Sequence, residues 1–151
     1  TTEQIAFNLI PRIDSFLPTG YTKEEQKLAD ETRKIMHAKE LAISATCVRV
    51  PVFVAHSIAL HVESENEISV DATRELLAAQ PGIKVLDIPD EGLYPMPWDV
   101  AGRDDVFVGR IRADASHPKG IAMWVVSDNL RKGAALNSMQ IAEEMLRRGC
   151  L

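Results

Sequence analysis

Residues 105–113, DVFVGRIRA, and residues 120–128, GIAMWVVSD, decide the fold. Both runs are rich in β-branched and aromatic residues, and a short polar segment with Asp114, Ser116 and Pro118 joins them. That pattern predicts a β-hairpin. Working outward, KVLDI (84–88) reads as a further strand, and QIAFNLI (4–10) as another, stopped by Pro11. Residues 42–63 carry one long strand pattern or two shorter ones. From Ile58 to Val62 the alternation is clean, with Ile58, Leu60 and Val62 on one face and Ala59 and His61 on the other. Three helices punctuate these runs. Thr22 and Glu25 form a capping box that opens the first, running to about His37. Ser69 caps the second, over about 70–80, ended by Pro81 and Gly82. Asp128 or Asn129 caps the last, over about 130–148, ended by Gly149. Residues 89–104, with Pro89, Pro95, Pro97 and two glycines, predict a loop over the surface or over a site.

The order β-α-β-β-α-β-β-β-α lacks regular βα alternation. It predicts an α+β fold, a mixed and largely antiparallel sheet with helices packed on one face. There is no internal repeat or low-complexity linker, so residues 1–151 read as a single domain.

The chain has 151 residues and is 46% apolar, enough for one sizeable core and against global disorder. A formal net charge of −5 argues against a nucleic-acid or anionic-membrane surface. No apolar run reaches a bilayer span, and no signal-peptide pattern opens the chain. The opening TTEQIAFNLIP enters an apolar run with no lead-in, which predicts a trimmed terminus or a piece of a larger protein. Cys47 and Cys150 have neither metal-ligand nor disulfide spacing, and no metal is expected. Cys47 reads as a small buried hydrophobe in a reducing, cytoplasmic setting.

Two segments could carry chemistry. In TKEEQKLADETRKIM, Glu24, Lys27, Leu28, Glu31 and Ile35 share one helical stripe, with Leu28 and Ile35 expected to face inward. The charges are either a surface ladder or the edge of a cleft for a zwitterionic or phosphorylated ligand. In CVRVPVFVAHS (47–57), a valine-rich run holds Arg49 and His56 around Pro51. Arginine is shaped to grip a carboxylate, and histidine titrates near neutrality. Strict alternation would put the two on opposite faces, so a break near Pro51 is needed for them to share one. KGAALN (132–137) opens the last helix with a glycine and two alanines, which suit tight packing or the approach of a cofactor, and Asn129 sits at that helix's N-terminus, where backbone N–H groups attract anions.

CVRVPVFVAHS, YTKEEQKLADETRKI, FVGRIR and DNLRKGAALNSMQIAE together resemble bacterial aspartate-semialdehyde dehydrogenase over nearly the whole chain. The resemblance implies a glyceraldehyde-3-phosphate-dehydrogenase-like C-terminal domain, catalytic and dimerising. It also implies NADPH-dependent reductive dephosphorylation of aspartyl phosphate to aspartate semialdehyde, a step toward lysine, threonine and methionine. It assigns Arg49 to the substrate carboxylate, Glu24 to its amino group and Lys27 to the phosphate site. His56 becomes the acid/base, and Asn129 touches NADP. The family's nucleophilic cysteine segment and glycine-rich dinucleotide turn match nothing here. These residues therefore read as the C-terminal part of the enzyme, inactive alone, with NADP bound mainly elsewhere, the last helix near the missing NADP-binding domain, and a homodimer expected. A non-catalytic dimerisation module and a related acyl-phosphate reductase are the alternatives.

Overall fold

The computed structural model describes residues 3–150. They group into two compact units that divide between Val52 and Phe53.

The first unit is built on helix α1, Lys23–Ile35. Its start is the expected capping box: the Glu25 amide donates to Thr22 Oγ1, and the Thr22 amide donates to Glu25 Oε2 at 2.7 Å. Acidic residues in the first turn and basic ones in the last suit the helix dipole. The buried residues of α1 are Glu25 and Ala29, not the predicted stripe, for Leu28 is 41% exposed and Ile35 74%. The chain returns along α1 and is tied to it by side chains. Arg33 Nε donates to the Leu41 carbonyl, Tyr21 and Ser44 hydroxyls meet, and the Cys47 amide donates to Glu25 Oε1.

Residues 42–55 are therefore extended but not a ladder strand; their one bridge is Ile10 with Arg49. Residues 4–10 are not a strand either. Phe7 turns at φ 59°, and only Ile10 pairs. The physical reason is common to both. A strand exists only where a partner backbone runs alongside, and along both segments only the Ile10–Arg49 bridge supplies one.

The second unit holds a four-stranded sheet of β1 (His56–Glu63), β2 (Ile83–Val85), β3 (Val106–Ala113) and β4 (Gly120–Ser127), in the order β1-β4-β3-β2. The β3–β4 hairpin forms as predicted. β1 lies antiparallel to β4, and β2 lies parallel to β3. Helix α2, Val70–Ala78, opens at Ser69 and packs Val70 and Leu77 against Val108, Ile111 and Ile121. The segment 89–104 holds a 3₁₀ turn, Pro89–Glu91, and a one-turn helix α3, Pro97–Val100. On the opposite face Val100, Val126 and Ala55 form a second cluster with Phe107 and Trp124. Trp124 Nε1 ties this face to the Pro95 carbonyl at 3.1 Å.

A bulge sets which residues of β3 face α2. Gly109 pairs with Trp124 and Arg112 with Ala122, so Arg110 and Ile111 together oppose Met123. Arg110 adopts φ 54°. The extra residue inverts the alternation, burying Ile111 beside Val108 and leaving Arg110 and Arg112 in solvent. Ile111's freed backbone groups find side chains. Its amide donates to Asp87 Oδ2, and its carbonyl accepts from Arg74. Next door, Gly109 has no alternative, because a Cβ there would lie 2.2 Å from the Leu86 carbonyl oxygen.

The last predicted helix is broken. Asp128 Oδ1 accepts from the Leu130 and Arg131 amides, as the expected cap. A π-helical turn, Arg131–Ala135, follows, kinked where Ala134 leaves helical angles, and the regular helix α4 runs only over Leu136–Arg147. No α4 side chain is buried, and Met139, Ile141 and Leu146 are exposed.

Candidate functional site

The predicted groups fall into two sets. In the first unit, Glu24 and Lys27 stand one turn apart on α1, with Lys27 Nζ 3.6 Å from Glu24 Oε1. Glu24 is half-buried and Lys27 exposed. Lys27 and Glu31 line an open hollow with Lys23, Gln26 and Asp30. Charges of both signs are thus presented outward from one helical turn.

Arg49 is exposed on the strap that returns along α1. Its amide donates to the Ile10 carbonyl at 2.9 Å, and its carbonyl accepts from the Ile10 amide at 3.1 Å. Its backbone is therefore held, while its guanidinium has no hydrogen-bond partner among the described residues. The valines beside it, Val48 and Val50, are themselves open, at 37% and 43%.

The break in the run does occur at Pro51. The Val52 amide donates to the Val50 carbonyl at 2.9 Å, a turn centred on the proline, whose fixed φ suits it. It is a turn, not a bulge in a strand. Arg49 lies in the first unit and His56 in the second.

His56 is the first residue of β1 and is exposed. The residue before it, Ala55, is buried at φ 79°, a conformation that costs a non-glycine residue about 1–2 kcal/mol. Asn129 supports that turn, its Oδ1 accepting the Ala55 amide at 2.9 Å. The sequence-predicted Asn129 and His56 segments, 73 residues apart in the chain, are therefore brought together.

Asp128, beside it, is 3% exposed and accepts amides from Gly102, Leu130 and Arg131. Those donors, the Gly102 amide foremost, hold its carboxyl below the usual carboxylate range. It ties the loop before β3 to the turn after β4.

Two cysteines remain. Burial, with Glu25 and Glu24 nearby, pushes the Cys47 thiol above its ordinary value, so at neutral pH it is a thiol and a poor nucleophile. Cys150 is exposed at the end of the chain. Among the described residues, no three His, Cys, Asp or Glu side chains gather as a metal ion would require. No helix there is long and apolar enough to cross a membrane.

Sequence reading missed one function of Glu25. Its Oε2 takes the capping-box bond, and its Oε1 takes the Cys47 amide at 2.8 Å. These two amides, Thr22's first, hold its carboxyl below the ordinary carboxylate value. The sequence marked Glu25 for the cap bond alone, and the need for a second donor follows from its burial in the structure. A capping-box glutamate that is buried needs a second donor.

The mixed α+β architecture is that of a glyceraldehyde-3-phosphate-dehydrogenase-like C-terminal domain. The family model described as semialdehyde dehydrogenase, dimerisation domain, matches residues 1–132, and the chain belongs to that family. The chain is 54% identical over 148 residues to the aspartate-semialdehyde dehydrogenase of Aquifex aeolicus, covering 98% of this chain and 44% of that protein. The crystal structure of aspartate semialdehyde dehydrogenase II from Vibrio cholerae, complexed with ASA, superposes with a TM-score of 0.92 at 47% identity. The match covers 97% of this chain and 43% of that one. The enzyme of Candida albicans, solved with NADP, matches at 28% identity with a TM-score of 0.78, over 97% of this chain and 46% of that one. The chain thus spans less than half the length of the relatives it matches.

The described residues contain no glycine-rich strand-to-helix turn to seat a dinucleotide pyrophosphate. The Asn129 amide, its oxygen already committed to Ala55, is the one predicted cofactor contact among them. These residues do not by themselves fit a whole NADP.

Proposed function

We propose that this chain is the substrate-binding and dimerising portion of an aspartate-semialdehyde dehydrogenase. Within a longer polypeptide like that of its relatives, it would take part in NADPH-dependent reductive dephosphorylation of L-4-aspartyl phosphate to the semialdehyde. The observation that carries this reading is the match over 97% of the chain, at 47% identity, to an enzyme solved with ASA.

The chemistry of the side chains supports the roles. Arg49 offers two parallel N–H groups to a carboxylate, and Glu24 an opposite charge to an ammonium. Lys27, a compact cation on the same turn as Glu24, suits a phosphate. His56 carries an imidazole, a side chain able to take up and return a proton, and is assigned the acid/base role. A thiolate is needed to displace phosphate from the acyl carbon, and Cys47 is poorly suited to it. A nicotinamide, when bound, supplies hydride. We assign both to the part of the relatives that these residues do not span. The exposed apolar residues of α4 suit docking on an NADP-binding domain.

The homodimer belongs to the same reading. Ile58, Leu60 and Val62 of β1 pair with Val125, Met123 and Ile121, so they lie on the α2 face of the sheet. α2 packs over β2 and β3, and these three stay open at 51%, 37% and 42%. A second copy would cover this apolar edge. A cytoplasmic setting fits such a biosynthetic enzyme.

Steady-state kinetics of the full-length polypeptide test the roles. Arg49→Leu should raise KM roughly 10- to 100-fold and lower kcat/KM. His56→Ala should chiefly lower kcat, by roughly 10²- to 10⁴-fold. Wild-type kinetics in either variant would remove that role. The isolated 151 residues should show no NADPH-linked turnover, and turnover would refute the account of the missing thiol.

A further inference from the structure

Glu25 is none of the predicted ligand-binding residues, yet it is a buried charge of the first unit. It is 7% exposed, beside Thr22 at 0%. One carboxylate oxygen holds the Thr22 amide at the start of α1, immediately before Lys23 and Glu24. The other holds the Cys47 amide, two residues before Arg49. Beyond Cys47 the strap has a single ladder contact, the Ile10–Arg49 bridge. An exposed arginine with four side-chain torsions is placed only as well as its backbone is placed.

We propose that Glu25 is a positioning residue that fixes the spacing between Arg49 and Glu24. The spacing of those two charges is what would match the carboxylate and the ammonium of an α-amino acid. Glu25 is suited to this because an ionised carboxylate is acceptor-only and can receive both amides at once. A glutamine cannot. Its Oε1 would accept one amide, and its NH₂ would confront the other. The proposal rests on the substrate-clamp reading of Arg49 and Glu24 given above.

The experiment is a double-mutant cycle in the full-length polypeptide with aspartate semialdehyde as the varied substrate. Glu25→Gln should raise KM about tenfold, with kcat within about twofold. On an Arg49→Leu background the same substitution should change KM less than about twofold, because the charge it positions is gone. Thr22→Ala removes the cap hydroxyl but keeps both amide contacts of Glu25. It should weaken the fold and leave KM within about twofold. An unchanged KM in Glu25→Gln overturns the proposal, and so does an equal rise on both backgrounds. If Arg49→Leu alone leaves KM unchanged, the clamp reading itself fails, and this proposal with it. Should Glu25→Gln not fold, amide exchange of the wild-type protein decides. The Cys47 amide should be protected together with the first turn of α1, and exchange at the rate of an open strap overturns the brace.

Discussion

Replacing Arg74 with methionine strands a buried carboxylate. Arg74 Nε donates to Asp87 Oδ2 at 2.9 Å, and its second nitrogen lies 2.8 Å from the same oxygen. That nitrogen also donates to the Ile111 carbonyl at 3.2 Å. The Asp87 side chain is 2% exposed, and its Oδ1 has no partner among the described residues. Without the guanidinium, Asp87 keeps only the long 3.3 Å contact from the Ile111 amide. Breaking a buried pair from one side costs about 3–5 kcal/mol. Arg74 is 37% exposed, so water partly replaces it, and about 3 kcal/mol is expected. Methionine retains most of the apolar stem, so lost packing adds little. For a domain of this size the midpoint should fall roughly 6–12 °C. The double variant Arg74→Met/Asp87→Leu leaves no charge stranded but orphans the two Ile111 backbone groups. It should cost about 1–2 kcal/mol, less than the single change. Urea unfolding followed by tryptophan fluorescence reads both, with the slope unchanged. A single variant costing under about 1 kcal/mol, or a double variant worse than the single, would refute the clasp.

Two further outcomes are expected. Iodoacetamide at neutral pH should alkylate exposed Cys150 before Cys47, read by peptide mass, with Cys47 accelerating only as pH rises; equal rates at pH 7 would contradict the raised Cys47 thiol. Leu60→Asp should shift the full-length protein toward monomer in sedimentation without unfolding it, since Leu60 is already 37% exposed; an unchanged assembly would place the dimer contact elsewhere.

Much of the sheet was legible because the hairpin is coded locally. β-branched alternation and a polar turn lie within 24 consecutive residues, 105–128. The caps at Thr22 and Ser69 were legible for the same reason, each involving groups three residues apart. The strand expected at 4–10 did not form, and of the one or two expected over 42–63 only His56–Glu63 did. The composition of the rest matched a strand, but whether a partner lies alongside is a long-range fact. The buried side of α1 was misread because its buried residues are Glu25 and Ala29, and no hydropathy pattern marks a glutamate as inward.

Local pattern was enough for the α+β class, the hairpin and the starts of α1 and α2. Long-range contacts set the rest. The tertiary structure turned Arg110 into the left-handed region, and so buried Ile111 in place of two arginines. It placed the Ala55 amide on Asn129 and the Cys47 amide on Glu25. Each of these is a hydrogen bond or a register between segments far apart in the chain. Nothing in the local pattern encodes such partners, because backbone donors are alike until the fold sets one acceptor beside each.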